Sequence, residues 1–382
     1  MRYGGPIVSV HGLCKALARR NHEVHVFTTN VDGKTDSNVP LGVPVAMDGV
    51  NIWYFPVPLG RRLYWSPRMG QALRLQVQSF DIVHTHSVFL WPTAAAARAA
   101  RHCGVPYVVA PRGMLVADLI RRKSPLPKLA WIRLIERYNL ERAAVIHVTS
   151  RLEAEQLACF GLRLPPVRVV PNGVELSDPG SNAACSAEIA DIASGSPYLL
   201  FLGRINWKKG LDRLIRALAQ LPSLQLVIAG NDEEAYRPTL EALAGQGGVS
   251  NRIRFVGPVY NADKSVLLRH ATVLVVPSYS ENFGNVVIEA MAEGCPVVVA
   301  SEVGAADIVR ESGAGVVLNA NPDTLAAGIA DMIADPTRLS AMGECGRKAV
   351  TNQYTWDAVA ARMEDTYRSV LSRQGTLDHS RS

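Results

Sequence analysis

Short runs of apolar, β-branched residues alternate along the chain with longer stretches in which apolar residues recur every three or four positions. Runs this apolar are typical of strands covered on both faces, as in parallel sheets. We therefore predict an α/β protein in which strands alternate with helices. The predicted strands cover residues 23–29, 51–57, 81–86, 106–111, 143–150 and 167–171 in the first half, and 198–203, 224–230, 252–257, 272–278, 296–301 and 315–318 in the second.

The length of the chain predicts two domains. Its 382 residues are too many for one ordinary hydrophobic core and suit two domains of about 150–200 residues each. Because strands and helices alternate in both halves, we predict two Rossmann-like domains, and the Pro171–Gly173 turn marks the boundary between them. The expected division is a first domain over 1–171, a second over 172–354, and a closing helix and tail over 355–382.

The composition excludes several classes of protein. With 48% hydrophobic and 19% charged residues, the chain is not disordered, collagen-like or a coiled coil. Its apolar runs stay below the roughly 18 residues that a transmembrane helix needs. The six cysteines are scattered without a CxxC pair, which argues against a disulfide scaffold and a zinc site. We therefore expect a cytoplasmic protein with reduced thiols.

The charge is distributed unevenly. Residues 1–171 hold 22 Lys and Arg against 10 Asp and Glu, a net of +12, whereas residues 172–382 hold 18 against 24, a net of −6. A basic first domain predicts an anionic partner. A membrane surface, an anionic acceptor and a nucleic acid are the alternatives at this point.

The first residues place a Gly-Gly-Pro loop directly ahead of a helical stretch. A doubly wound domain normally begins with a strand that leads into such a loop and lies at the centre of the sheet. No such strand precedes Gly4 and Gly5 in this sequence. We therefore expect that the sequence starts late or is a fragment.

The segment 278–301 carries the strongest chemical pattern. Glu281 lies eight residues before Glu289, and the residues between them lead from a loop into a helix that begins near Asn285. A helix start offers unpaired N–H groups and the positive end of a dipole, which suit a phosphate. Glu289 would accept hydrogen bonds from a ribose diol, and Glu281 would reach a sugar hydroxyl. Two solvated glutamates in an ordinary loop and helix are the alternative.

The segment 201–218 carries a second pattern, in which a strand ends at Gly203 and a basic loop follows before the next helix. Ligands of open α/β sheets bind at the carboxyl ends of the strands. Arg204 and Lys209 would clamp a diphosphate, the arginine through its fork of donors and the lysine as a point charge. An exposed basic loop is the alternative, but the combination with 278–301 favours a nucleotide site.

Together these two segments resemble the retaining GT-B glycosyltransferases of family 4, also called group 1. The resemblance rests on GRINWKKG at 203–210 and on the two glutamates eight residues apart. It extends over nearly the whole chain through the Gly-Gly-Pro opening, DIVHTH at 81–86, VVPNGVE at 169–175 and the closing helix at 354–371. It implies two Rossmann-like domains facing a cleft, the first for the acceptor and the second for a nucleotide-sugar, with the closing helix crossing back to the first.

The resemblance implies a reaction. A sugar would move from a UDP- or GDP-linked donor to the hydroxyl of a glycan or lipid-linked acceptor, with its anomeric configuration kept, in exopolysaccharide or lipopolysaccharide synthesis. The chain has no DxD motif, so we expect neither a catalytic metal nor a further cofactor.

The resemblance also implies roles for individual residues. The diphosphate would lie on Arg204 and Lys209, the ribose on Glu289, and the donor sugar on Glu281 and the N–H groups that follow it. The implied donor-binding residues are Gly4, Gly5, Arg204, Lys209, Asn231, Val256, Asn282, Phe283, Gly284, Asn285 and Glu289. The implied catalytic residues are Glu281, His86, Arg204 and Lys209.

Two side chains in the first half need separate argument. His84 and His86 share one face of a strand, so periodicity does not choose between them, and an ordinary core histidine is the alternative for each. The family pattern places a histidine at the carboxyl end of this strand, near the donor sugar, so the resemblance selects His86. Arg112 follows another strand and is the best acceptor-side cation, with a structural arginine as the alternative.

The segment 119–138 combines basic side chains with apolar ones such as Leu129, Trp131 and Ile132. Such a segment would rest on anionic lipid head groups at the cytoplasmic membrane face, where charge and buried apolar area both contribute. A basic surface helix with an ordinary packed face is the alternative.

Two other functions stay open: a sugar-nucleotide epimerase on the same architecture, and a non-enzymatic two-domain sugar-binding protein. An epimerase would turn over the donor without an acceptor, and a sugar-binding protein has no need for a diphosphate clamp. We expect no nucleic-acid partner, because the chain has no recognised nucleic-acid module.

Overall fold

The computed structural model describes residues 5–122, 125–176 and 185–379. The chain divides into two compact units, one of residues 1–173 with 356–382 and one of residues 174–355. Each apolar run that was predicted to be a strand contains an observed strand. The strands that the prediction misses are short pieces between residues 31 and 47, all of which are exposed or half-buried; the last of them, PVAM at 44–47, is apolar but begins with a proline.

The elements of the first unit alternate as expected. Its strands are β1 (Val24–Thr29), β2 (Val31–Asp32), β3 (Thr35–Asp36), β4 (Pro44–Met47), β5 (Val50–Phe55), β6 (Val83–His86), β7 (Tyr107–Ala110), β8 (Val145–Val148) and β9 (Val167–Val169). Its helices before the boundary are α1 (Gly5–Arg19), α2 (Pro67–Gln76), α3 (Trp91–His102), α4 (Ala117–Arg122), α5 (Pro125–Trp131), α6 (Arg137–Glu141) and α7 (Arg151–Ala158).

The second unit has a regular alternation, and the last helix of the chain returns to the first unit. The strands are β10 (Tyr198–Leu202), β11 (Gln225–Ala229), β12 (Ile253–Gly257), β13 (Val273–Val276), β14 (Val297–Ala300) and β15 (Gly315–Leu318). The helices are α8 (Ala187–Ser194), α9 (Leu211–Leu218), α10 (Arg237–Gln246), α11 (Asn261–His270), α12 (Asn285–Glu293), α13 (Ala306–Ser312), α14 (Pro322–Ile333), α15 (Pro336–Ala349) and, in the first unit, α16 (Trp356–His379).

The second unit is built on a six-stranded parallel sheet in the order β12-β11-β10-β13-β14-β15. Counted within the unit, this order is 3-2-1-4-5-6, that of a doubly wound dinucleotide-binding fold. All four residues of β13 and of β14 are buried, because helices cover both faces of the sheet. The strand order reverses between β10 and β13, which is where such folds bind ligands.

The first unit contains a parallel sheet in the order β6-β7-β8-β9 and a second sheet in the order β1-β5-β4. In the second of these, β1 runs parallel to β5, whereas the exposed strand β4 runs antiparallel to it. The pairing of β6 with β7 sets His86 opposite Ala110, so the residues that follow the two strands leave the sheet at the same edge.

Helix α16 packs on α1 through a tryptophan and a set of ion pairs. The Trp356 side chain is 7% exposed and lies against the backbone of Gly12 and Gly173. Farther along the helix, the buried Glu364 carboxylate accepts hydrogen bonds from Arg20 Nε at 2.5 Å and from His22 Nε2 at 3.0 Å. These charged groups hold the pKa of Glu364 at about 2. Because each contact lies within the first unit, α16 is part of that unit's core.

The packing of Trp356 predicts opposite effects for two helical glycines. A Cβ on Gly12 would lie 2.3 Å from Trp356 Cε2, whereas a Cβ on Gly245 would meet nothing closer than 3.9 Å. We expect Gly12→Ala to cost about 1–3 kcal/mol through overpacking. Gly245→Ala in α10 is the control and should gain about 0.5–1 kcal/mol through helix propensity. Thermal and denaturant unfolding measure both, and equal melting temperatures for the two variants would contradict the described packing.

Candidate active site

Two loops follow β10 and β13 at the point where the strand order of the second unit reverses. The first covers residues 203–210 and the second residues 277–284. They are joined by hydrogen bonds, since Tyr279 N donates to Lys208 O at 2.8 Å and Arg213 Nη1 donates to Pro277 O at 3.2 Å. The carboxyl edge of the sheet therefore presents one continuous surface at its switch point.

Gly210 allows the two loops to approach each other. Its φ of +67° lies in the left-handed region, and a Cβ at this position would lie 2.0 Å from Pro277 O. A glycine satisfies both requirements at once, since it has no Cβ. The adjacent strand ends are equally close, because a Cβ on Gly230 would lie 1.8 Å from Gly203 O.

The structure brings two predicted residues into direct contact. Lys209 Nζ donates to Glu281 Oε2, and each side chain is 21% exposed. The backbone fixes Glu281, whose N–H donates to Glu302 O at 3.1 Å and whose carbonyl accepts from Gly304 N at 2.9 Å. Lysine and glutamate thus form an ion pair on a rigid stretch of chain, where both groups still reach solvent.

The loop with Glu281 leads into α12 as the sequence predicts. Gly284 has a φ of +89° and precedes Asn285, which begins the helix. Phe283 is 3% exposed and packs in the hydrophobic core, so its side chain anchors the loop instead of facing a ligand. Glu289 lies one turn into the helix and is half-buried, with Lys264 Nζ 3.2 Å from its Oε1. The N-terminal turn of α12 therefore combines backbone donors with one carboxylate and one ammonium group.

The structure does not bring Arg204 to Lys209. Its side chain is 59% exposed, and its Nη1 lies 3.4 Å from Glu233 Oε2. The exposed Asn231 follows β11, and its carbonyl accepts from Ile205 N at 2.8 Å, so it borders the same loop. The roles predicted for Arg204 and Asn231 stay predictions.

The remaining residues predicted to bind the donor belong to several different parts of the chain. Val256 is half-buried on β12 and packs against the core of the second unit. Gly5 begins α1 in the first unit, and Gly4 lies outside the described residues. For Asn282, the structure shows a half-buried residue of the loop before α12.

In the first unit, His86 and Arg112 lie side by side after β6 and β7. His86 Nδ1 accepts from Arg112 Nε at 3.3 Å and from Arg112 Nη2 at 3.1 Å. Arg112 Nη1 donates to Asn172 Oδ1 at 2.8 Å. Burial and the charge of Arg112 lower the pKa of His86 well below its usual range. A neutral histidine is therefore paired with an arginine at the carboxyl edge of this sheet.

His84 has a different environment, although its ring centroid is only 4.2 Å from that of His86. Its Nδ1 accepts from the Tyr367 hydroxyl at 2.8 Å, and its Nε2 contacts His147 Nδ1 at 3.3 Å. The two histidines share one face of β6, as the alternation predicts, but their partners distinguish them. Both ring nitrogens of His84 are used within the unit.

Comparison with known proteins identifies the chain. Residues 186–349 match the family model of the group 1 glycosyl transferases, and residues 4–173 match that of the glycosyl transferase 4-like domain. The D-inositol 3-phosphate glycosyltransferase of Xylanimonas cellulosilytica is 32% identical to this chain, and the match covers 97% of this chain and 93% of that protein. The chain belongs to the group 1 glycosyltransferases.

Solved structures agree with this assignment. The sucrose-phosphate synthase from Thermosynechococcus elongatus is 26% identical and has a TM-score of 0.78, over 97% of this glycosyltransferase and 94% of that chain. Anabaena HepE, solved in complex with UDP and glucose, is 18% identical with a TM-score of 0.73, over 96% of each chain. The two Rossmann-like units of this glycosyltransferase therefore have the GT-B fold that the sequence predicts.

Two sets of contacts near the candidate site of this glycosyltransferase were not predicted from the sequence. Lys264, which pairs with Glu289, lies on α11, and no motif links its position to the two predicted segments. The ring of Tyr279 stacks under the Arg213 guanidinium at 3.5 Å, and its hydroxyl donates to Asp212 Oδ2 at 2.8 Å. Tyr279, Asp212 and Arg213 lie inside the two predicted segments, but their contact depends on how the loops fold together.

In the described part of this glycosyltransferase, no group of three or more His, Cys, Asp or Glu side chains is arranged to hold a metal ion. Among the histidines of the first unit, His84 is hydrogen-bonded to His147 and Tyr367, and His86 is hydrogen-bonded to Arg112.

The close approach at Gly210 predicts a local loss of nucleotide binding. In Gly210→Ala the methyl group would displace the loop with Glu281, so we expect the affinity for UDP to fall at least about tenfold. Gly257→Ala is the matched control, because its φ is +71° and its Cβ would meet nothing within 4 Å. That control should cost about 1–2 kcal/mol of backbone strain alone. Calorimetric titration with UDP, together with unfolding curves, separates the two effects, and unchanged UDP affinity in Gly210→Ala would contradict the assignment.

Proposed function

We propose that this glycosyltransferase moves a sugar from a UDP- or GDP-linked donor to an acceptor hydroxyl, with retention of the anomeric configuration and without a metal ion. The observation that carries the proposal is the Lys209–Glu281 pair, held at the switch point of the second unit beside the loop that leads into α12. The HepE complex with UDP and glucose supports a nucleotide-sugar as the donor. Arg204 is proposed as a second cation for the diphosphate, reached by rotation of its exposed side chain.

The charges in the second unit suit a leaving nucleoside diphosphate. Negative charge develops on the diphosphate as its bond to the sugar breaks, and the Lys209 ammonium with the first turn of α12 would stabilise it. Fixed donors of this kind contribute about 2.7–4 kcal/mol each to the transition state. Glu281 would hold a hydroxyl of the donor sugar, and Glu289 would accept the ribose hydroxyls after exchanging its contact with Lys264.

As the resemblance to the retaining glycosyltransferases implies, we propose a displacement on one face of the sugar without a protein nucleophile. The bond between the anomeric carbon and the diphosphate oxygen breaks, and the acceptor oxygen bonds to the same carbon from the same side. The departing phosphate oxygen takes the acceptor proton, which balances the step without a protein base. A covalent sugar adduct trapped on Glu281 would overturn this mechanism.

We assign the acceptor to the first unit, with Arg112 as the acceptor-side cation and His86 beside it. Three of the five N–H donors of Arg112 are used by His86 and Asn172, which leaves two for a ligand. The net charge of +12 on residues 1–171 favours a negatively charged acceptor. We propose a glycan or lipid-linked acceptor in exopolysaccharide or lipopolysaccharide synthesis. An epimerase would instead convert the nucleotide-sugar in an acceptor-free assay.

Neighbouring lysines test the diphosphate contact. Lys209→Ala should lower kcat by about 100- to 1,000-fold, because it removes a fixed cation from the developing negative charge. Lys208→Ala is the control and should change kcat less than about threefold. Release of UDP or GDP from the donor measures both, and a circular dichroism spectrum confirms the fold. A Lys209→Ala enzyme with normal turnover would remove this residue from the mechanism.

Calorimetry tests the ribose contact. Glu289→Ala should weaken UDP or GDP binding about tenfold or more, because two hydrogen bonds to the ribose are lost. Asp307→Ala on α13, which removes a carboxylate paired with Arg310, serves as the control with unchanged affinity. A dissociation constant that is the same in all three proteins would exclude Glu289 from the nucleotide site.

We further propose that the segment 119–138 rests on anionic lipid. Leu126 and Leu134 are 79% and 77% exposed, and the cation of Lys128 lies nearby on α5. Each helix in the described part of the chain is too short or too polar to span a membrane.

The full chain should sediment with vesicles of phosphatidylglycerol and phosphatidylcholine at low salt and should be released at high salt, because charge and apolar area act together. Leu126→Ser with Leu134→Ser should abolish binding; equal sedimentation of this variant would contradict the proposal.

A further inference from the structure

Arg112 stands on a strained turn directly after β7. Its φ is +56°, and Gly113 follows with a φ of +70°. A non-glycine residue in the left-handed region costs about 1–2 kcal/mol, so surrounding contacts must hold it there. The turn directs the guanidinium back toward the end of β6, where it meets His86.

A buried carboxylate holds this turn. Glu153 on α7 is 4% exposed, and its Oε1 accepts from Gly113 N at 2.6 Å. Its Oε2 accepts from Thr149 N at 2.8 Å and from Thr149 Oγ1 at 2.9 Å. Both oxygens are therefore engaged by donors, and the carboxylate joins the Arg112 turn to the start of α7. No carboxylate oxygen in the described chain lies within 4.0 Å of the Arg112 guanidinium itself.

The hydrogen bonds of Arg112 determine which nitrogen of His86 carries the proton. Arginine has only donors, so His86 Nδ1, which receives two of them, must be the acceptor. In a neutral imidazole the proton then lies on Nε2, since the partner of one ring nitrogen fixes the state of the other. No described residue is hydrogen-bonded to His86 Nε2, so this N–H is available to a ligand.

The neighbouring histidines, His84 and His147, differ from His86 because their ring nitrogens make all their hydrogen bonds within the first unit. His147 is neutral, with its pKa lowered to about 3 by burial and by Arg112, and its Nε2–H donates to Val170 O at 2.8 Å. Its Nδ1 therefore accepts from His84 Nε2–H, and His84 Nδ1 accepts from the Tyr367 hydroxyl. Every ring nitrogen of these two residues is satisfied inside the unit. His86 alone among the three keeps a donor for a ligand.

We propose that Arg112 is a positioning residue that fixes His86 as its Nε2–H tautomer, and that Glu153 is the positioning residue that holds Arg112 in place. His86 then acts as a neutral hydrogen-bond donor to an oxygen of the substrate and not as a proton acceptor. The identity of that substrate rests on the proposed function; the tautomer and its cause do not. The role differs from that of a general base, which would need an unprotonated nitrogen facing the ligand.

Nuclear magnetic resonance tests the tautomer without any substrate. The full chain is labelled with ¹⁵N-histidine, and long-range proton–nitrogen correlations report which ring nitrogen is protonated. The spectrum of His86→Gln identifies the signals of His86. We expect wild-type His86 to show an unprotonated Nδ1 and a protonated Nε2. A wild-type His86 with its proton on Nδ1, or divided between the two nitrogens, would overturn the proposal.

Variants test the cause. Arg112→Met removes the donors at similar length and should leave His86 as a mixture of tautomers, while His84 and His147 keep theirs and report an intact fold. Glu153→Gln should have the same effect on His86. The carboxylate accepts from Gly113 through one oxygen and from Thr149 through the other, whereas the amide has only one accepting oxygen. Glu155→Gln, an exposed position on the same helix, should match the wild type. If Arg112→Met fails to fold, Arg112→Leu replaces it, since leucine likewise has no N–H to donate to His86. A fixed Nε2–H tautomer in a folded Arg112 variant would refute the assignment.

Kinetics connect the tautomer to the reaction. Glu153→Gln should lower kcat for sugar transfer about tenfold, the effect of one poorly placed hydrogen bond, with the UDP dissociation constant unchanged. Equal kcat in Glu153→Gln and Glu155→Gln would refute the role of Glu153. If the wild type transfers no sugar, the proposed function fails, whereas the magnetic resonance result still decides the tautomer.

Discussion

The close contact between the Gly210 backbone and the Pro277 carbonyl determines how the loops 203–210 and 277–284 of the second unit lie against each other. It allows two loops to meet at the carboxyl edge of a parallel sheet, at a distance that any side chain at position 210 would prevent. The Lys209–Glu281 pair follows from that approach, since each residue belongs to one of the two loops. Because backbone hydrogen bonds hold both loops, the ion pair has a fixed place in the fold.

The cationic side chains at the two candidate sites, Lys209 in the second unit and Arg112 in the first, have different partners. Lys209 is neutralised by the Glu281 carboxylate, so a ligand there competes with an existing ion pair. Among the described residues, Arg112 is hydrogen-bonded to neutral groups, His86 and Asn172, and its charge lowers the pKa of His86. A charge in a half-buried place without a contacting carboxylate favours the neutral form of a neighbouring histidine. The second unit therefore has a lysine whose charge is paired with Glu281, and the first unit has an arginine hydrogen-bonded to the neutral His86.

Much of the fold and part of the candidate site follow from the sequence. The apolar runs identify the strands of both parallel sheets, because strands covered on both faces have little polar character. The strand β4 is apolar but short and exposed, and it begins with a proline, which weakens the strand pattern, so it is missed. In the site, Lys209 and Glu281 lie in contact, whereas the exposed side chain of Arg204 turns to Glu233, and the binding roles predicted for these residues stay predictions. Lys264 is missed because a lone lysine on a helix carries no signal of its partner.

The sequence by itself determined the order of strands and helices, the glycines at the turns and the residue types near the switch point. These properties are local, since they depend on periodicity and on backbone conformation along a few residues. Only the tertiary structure decided that His84 is used internally while His86 keeps an Nε2–H, and that Glu153 supports Arg112. These pairings join residues up to 283 positions apart, so the hydrogen-bond partners that set a tautomer exist only after the chain has folded.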